Sequence, residues 1–161
     1  MLSKDEIVKR LEFHEGRRAK SYYCSAGYLT QGIGHNLDAN PLTTAQKRKI
    51  KDLSCWSDSE IDMILMDDVY QCEVLLVQLI EGFDKFDDER QYALVDMCFQ
   101  LGIGGVRGFK KMLLAMREGN WSEAKKQCLD SKYGRQTPIR ARRISHLIAT
   151  GEWKKKLEVE K

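Results

Sequence analysis

A chain of 161 residues has room for one compact domain, or two small lobes sharing a long element, and not for a string of domains. At 42% hydrophobic and 32% charged it is neither low-complexity nor disordered, and its longest apolar run, Val74 to Ile80, is broken by Gln78 and far too short to cross a bilayer. The net charge of +3 is densest from Arg135 to Arg143, which favours encounter with a polyanion without choosing between a cell wall and a nucleic acid.

The N-terminus, MLSKDEIVKRLEFHEG, lacks the apolar core of a secretory leader, so no signal peptide is expected. Ser3 and Glu6 read as a capping box, and Ile7, Val8 and Leu11 give a helical stripe that Gly16 stops. The first helix is therefore predicted from Lys4 to His14 or Glu15. From Arg17 to Leu37 the residues favour strands, with a turn at Ser25-Ala26-Gly27, and predict a small antiparallel sheet of two or three strands. Thr43 and Gln46 cap a short helix reaching about Leu53.

Ser57 and Glu60 cap a longer helix whose apolar positions recur at helical spacing until Gly82. At about 1.5 Å per residue it exceeds about 30 Å, enough to bridge two lobes. Helices follow over Asp87–Leu101, Phe109–Glu118 and Trp121–Ser131. Thr137 is read as the N-cap of a helix with Pro138 at its first position, stopped by Gly151, and a last helix is expected from Glu152 to about Val159. The class is α+β, and Trp121 and Trp153 fall at packing positions of the helical part.

Five cysteines, at 24, 55, 72, 98 and 128, are scattered, with no C-x-x-C pair and no histidine cluster. No metal or cofactor is expected, and all but Cys24 read as small buried hydrophobes. Glu15 stands where the first helix ends, and the negative end of the helix dipole disfavours its ionised form, as a general acid requires. Cys24 and Thr30 lie on the strand segment and can meet across a hairpin. An ordinary surface Glu, a buried Cys and a strand-forming Thr are what propensity alone favours here, and spacing alone leaves the function open.

The ordered set Glu15-Gly16, Cys24, Gly27-Tyr28, Thr30 and Gly32-Ile33-Gly34-His35 resembles the active-site region of the T4-type phage lysozymes, glycoside hydrolase family 24. That family's pattern is a Glu, eight residues, an Asp or Cys, five residues and a Thr. The likeness continues through FQLGIGGVRGF at 99–109, Trp121, QTPIRARR at 136–143 and TGEW at 150–153.

The resemblance implies a lysozyme-like two-lobed fold: a small β-containing lobe at 16–57, a connecting helix at 58–81, and a helical lobe of 1–15 with 82–161. It implies hydrolysis of the β-1,4 bond between N-acetylmuramic acid and N-acetylglucosamine in peptidoglycan. Glu15 would be the general acid, with Cys24 and Thr30 activating or positioning water, or Cys24 acting as nucleophile. Arg140 occupies the arginine position facing that Glu, and His35 and Asp68 match a pairing of the sheet lobe with the connecting helix. Phe99 and Gln100 match sugar-contacting positions; Asn36 and Gln127 align with such positions more loosely.

The family likeness further implies a monomer made in the bacterial cytoplasm, without membrane insertion. It would reach the periplasmic wall when a separate holin opens the inner membrane, causing host lysis. Three other readings compete. A non-catalytic wall-binding or virion-structural module would have no need of a protonatable carboxyl. A lytic transglycosylase needs the acid but no water-activating partner. A nucleic-acid-binding protein is not expected, since the arginines of 135–143 fall on different helix faces.

Overall fold

The computed structural model describes residues 1–154. They form a three-stranded antiparallel sheet and a succession of helices, the α+β class expected. Contacts gather the chain into two compact units: residues 3–71, and a second beginning at Cys72 that takes in Met1 and Leu2. The opening helix thus groups with the sheet in this division, whereas the family pattern assigns it to the helical lobe.

In the first unit, α1 (Lys4–Glu15) begins where the Ser3 hydroxyl accepts the Glu6 N–H at 3.3 Å. The Glu6 carboxylate does not complete the expected capping box. It takes Arg10 Nε at 2.6 Å instead, since a guanidinium one turn away is a stronger partner than a single amide. Gly16 ends the helix at φ 74°, its N–H on the Glu12 carbonyl at 2.8 Å.

Strands β1 (Arg18–Tyr23), β2 (Leu29–Gly32) and β3 (His35–Asn36) lie side by side in that order. The register sets Tyr22 opposite Thr30 and Tyr23 opposite Leu29. Between β1 and β2 the chain reverses in a tight turn: Gly27 N–H donates to the Cys24 carbonyl at 2.8 Å, and Cys24 N–H to the Tyr28 carbonyl at 3.0 Å.

Helix α2 (Thr44–Lys49) carries the full Thr43–Gln46 capping box but stops short of Leu53. The Asp52 carboxylate captures the Ser54 N–H at 2.9 Å and its hydroxyl at 2.7 Å, and this local turn outcompetes a further helical turn. Trp56 N–H then pairs with the Ala19 carbonyl at 2.9 Å, and the buried indole donates to Leu53 at 3.1 Å. Helix α3 (Asp58–Leu79) opens on the predicted reciprocal cap: Ser57 Oγ accepts Glu60 N–H at 3.3 Å, and the Glu60 carboxylate accepts Ser57 N–H at 2.7 Å.

The second unit begins within α3. A 3₁₀ turn at Phe83–Lys85, too short to leave an apolar period, precedes α4 (Asp88–Arg107), which Asp87 caps through Arg90 N–H at 2.9 Å. Gly102, at φ 73° and ψ 165°, interrupts α4 just past Leu101, where the sequence predicts its end. Helices α5 (Lys110–Arg117) and α6 (Trp121–Leu129) follow as expected. Helix α7 (Lys132–Gln136) is not anticipated by the pattern; Ser131 Oγ caps it through Gly134 N–H at 3.1 Å. Helix α8 (Pro138–Thr150) starts at the predicted proline and ends at Gly151, φ 70°.

Thr137, read as its side-chain cap, instead donates its hydroxyl to Tyr133 at 3.2 Å, because the end of α7 offers an open carbonyl there. Glu152 to Lys154 are not helical, and the rest of the expected final helix lies outside the described residues. Trp121 and Trp153 both pack: Arg90 lies 3.9 Å over Trp121, and Trp153 meets Tyr92 edge-on at 6.0 Å. No helix among the described residues is long and apolar enough to cross a membrane.

Candidate active site

Glu15 is the last residue of α1, partly exposed, and its side chain lies against Gly34 in the turn between β2 and β3. That turn is held from beneath. His35 is 2% exposed and donates Nδ1–H to Asp68 at 2.7 Å, and the second Asp68 oxygen takes Asn40 Nδ2 at 3.2 Å. The pair pins β3 to α3 within the first unit.

Cys24 directly follows β1, at the start of the turn. The N–H of Tyr28, then those of Ala26 and Gly27, together with the Thr30 hydroxyl, favour its ionised form, and they hold the thiol below its ordinary pKa of 9.0 against a smaller opposing effect of desolvation. Thr30, 5% exposed, donates its hydroxyl to the Tyr28 carbonyl at 2.9 Å. One proton cannot serve the carbonyl and the sulfur at once. While it rests on the carbonyl, the Thr30 oxygen is left as an acceptor.

Tyr22 faces Thr30 in the register and lies under the Arg18 guanidinium, 4.5 Å from ring centre. Burial raises its phenol pKa, and the charges of Glu15 and Cys24 add to the rise, so Tyr22 is within electrostatic reach of both. The sequence reading takes Tyr22 only as a strand former. It also misses the amide donors around Cys24, which belong to the backbone.

The other expected polar site residues have partners of their own. Asn36 Oδ1 accepts the N–H groups of Asp38 and Ala39 at 3.0 and 2.9 Å, shaping the loop after β3. In the second unit Gln127 donates to Glu123 at 2.7 Å, Gln100 to Thr137 at 3.4 Å, and Phe99 is half-buried on α4. Arg140 donates Nε–H to Asp96 at 2.8 Å. Asp96 is fully buried and also accepts from Tyr92 Oη at 3.1 Å. Its signal was a lone acid inside the apolar run ALVDMCF.

Arg140 and Arg143 are 10% and 9% exposed, so the arginine-rich helix does not present its charge as one basic face. Among the described residues no group of His, Cys, Asp and Glu is arranged to hold a metal ion.

A family model for phage lysozyme matches residues 12–145, a span that takes in Glu15, Cys24, Thr30 and Arg140. The chain belongs to the phage lysozyme family. It is a lysozyme-family enzyme, and the family acts on peptidoglycan. It is 35% identical to the pre-baseplate central spike protein Gp5 of Enterobacteria phage T4 over 93% of its own length, and spans 28% of that relative. It is 28% identical to probable T4-type lysozyme 1 of Dictyostelium discoideum, over 90% of this chain and 94% of the relative. Probable T4-type lysozyme 2 of the same organism is also 28% identical, over 89% and 94%.

Proposed function

We propose that the chain hydrolyses the β-1,4 bond between N-acetylmuramic acid and N-acetylglucosamine, with Glu15 as general acid and Cys24 and Thr30 managing the attacking water. The observation that carries this reading is the phage lysozyme family's match over residues 12–145, which takes in Glu15, Cys24 and Thr30, and the turn around Cys24 favours the ionised thiol. Glu15 gives its proton to the leaving glycosidic oxygen as an oxocarbenium-like transition state develops. Water donates one hydrogen to Thr30 Oγ1 and the other to the Cys24 thiolate, and its oxygen closes on the anomeric carbon. The products are the cleaved strand, a Glu15 carboxylate and a Cys24 thiol. Proton return through solvent resets the pair, and the anomeric configuration is inverted.

A nucleophilic Cys24 would instead form a sulfur-bound glycosyl intermediate and retain the configuration. Its breakdown asks sulfur to leave an anomeric carbon without acid help, and water activation avoids that step.

Clearing of purified Gram-negative peptidoglycan by the wild type, Glu15→Gln and Cys24→Ser tests the assignment. Both variants are expected to fall by at least about 100-fold. Cys24→Ser keeping most of its activity would leave Thr30 and water with the second role and remove Cys24 from it. Products with 1,6-anhydro ends in place of reducing ends would make the enzyme a transglycosylase. An inactive wild type would favour a binding module.

The likeness to a phage spike protein favours a second setting for the same chemistry: a lysozyme domain carried in a particle. In the first setting the chain is made in the host cytoplasm and meets the wall when a separate holin opens the inner membrane. Co-sedimentation with purified phage particles separates the two.

A further inference from the structure

Gly34 meets two separate demands for glycine. Its φ is +65°, a region that side chains rarely adopt, and the space where a Cβ would stand is already taken. A methyl there would lie 2.9 Å from Glu15 Oε2 and 3.0 Å from both Cδ and Cγ. Of the other glycines at positive φ, Gly16, Gly27, Gly102 and Gly119 have no such neighbour within 4 Å, so the crowding does not follow from the backbone conformation.

We propose that Gly34 is a positioning residue for Glu15: the missing side chain forms a seat on which the acid's carboxyl arm rests. The proposal builds on the reading of Glu15 as the general acid. The seat is firm because its neighbours are: Ile33 is 1% and His35 2% exposed, and His35 is tied to Asp68. The turn also follows directly on β2, which carries Thr30, and Thr30 pairs with Asn36 just beyond the turn. Acid and water-holding hydroxyl are thereby referred to one short hairpin.

A methyl at position 34 meets a rigid turn on one side and a rotatable Glu side chain on the other. The side chain is what gives way. The carboxyl moves while the fold persists, and a misplacement of that order at a proton donor weakens catalysis more than binding.

The test compares Gly34→Ala with Gly119→Ala, which has nearly the same φ, +70°, and open space at its Cβ. Both variants are expected to lose thermal stability through backbone strain. On soluble glycan strands Gly34→Ala is expected to lower kcat about 100-fold with KM within about twofold; Gly119→Ala leaves both unchanged. Wild-type kcat in Gly34→Ala overturns the seat while an inactive Glu15→Gln keeps the acid assignment; an active Glu15→Gln overturns that assignment instead.

A stability cycle serves if Gly34→Ala folds poorly. Glu15→Ala removes all three atoms the methyl would meet, so Gly34→Ala is expected to depress Tm less in that background than in the wild type. Equal depression in the two backgrounds overturns the contact.

Discussion

Cys24 and Cys128 carry the same side chain into opposite electrical surroundings. At the hairpin tip of the first unit, amide N–H groups and a hydroxyl draw the Cys24 thiol toward ionisation. In the second unit, Cys128 is sealed within α6 at 0% exposure, and burial pushes its thiol up to about 12. Three acids show the same contrast. Asp52 and Glu60, in the first unit, are served chiefly by backbone N–H groups and neighbouring serines. Asp96, in the second, is served by the side chains of Arg140 and Tyr92. Around Cys24, Asp52 and Glu60 the partners come from how the chain turns, and around Asp96 from how side chains pack.

Alkylation gives the largest contrast. Iodoacetamide on the native protein at neutral pH should modify Cys24 at least about 100-fold faster than Cys128, read by peptide mass. Comparable rates would break the comparison at its first point. The next effect is thermodynamic. Asp96→Ala should cost about 3–5 kcal/mol in urea unfolding, because it leaves the largely buried Arg140 guanidinium without the carboxylate it now binds. Asp96→Asn, which keeps an acceptor for Tyr92, should cost less.

The smallest effect sharpens the contrast by pH. Burial first, then the charges of Lys154 and Lys125, hold His146 below its ordinary 6.5, with Glu152 opposing. As pH falls below the mid-6s the unfolded chain takes up this proton before the folded one does. The stability present above that range is therefore lost on acidification. A Tm series from pH 7 to pH 5 should fall more steeply in the wild type than in His146→Gln, and parallel curves would remove His146 from the account.

Much of the fold was legible because helix ends are written in side chains. The hydroxyl caps at Ser3, Thr43 and Ser57 mark starts, and Gly16 and Gly151 mark stops. The overrun of α2 and the unforeseen α7 share a cause: Asp52 and Ser131 redirect the chain within a few residues, too short a span for an apolar period to register. Glu15, Cys24 and Thr30 could be read as a set because a family spacing joins them. The donors around Cys24 and the seat beneath Glu15 could not, since the direction of an amide and the emptiness above a glycine leave no letter in the sequence.

Those donors have a consequence for how the site would be mapped. An alanine scan passes through Ala26 and Tyr28 without removing an N–H, since every residue but one brings the same amide to the turn. Side-chain identity there is nearly silent chemically. The informative substitution is proline, which alone deletes the donor. Ala26→Pro and Tyr28→Pro therefore probe contacts that a survey of side chains would report as dispensable.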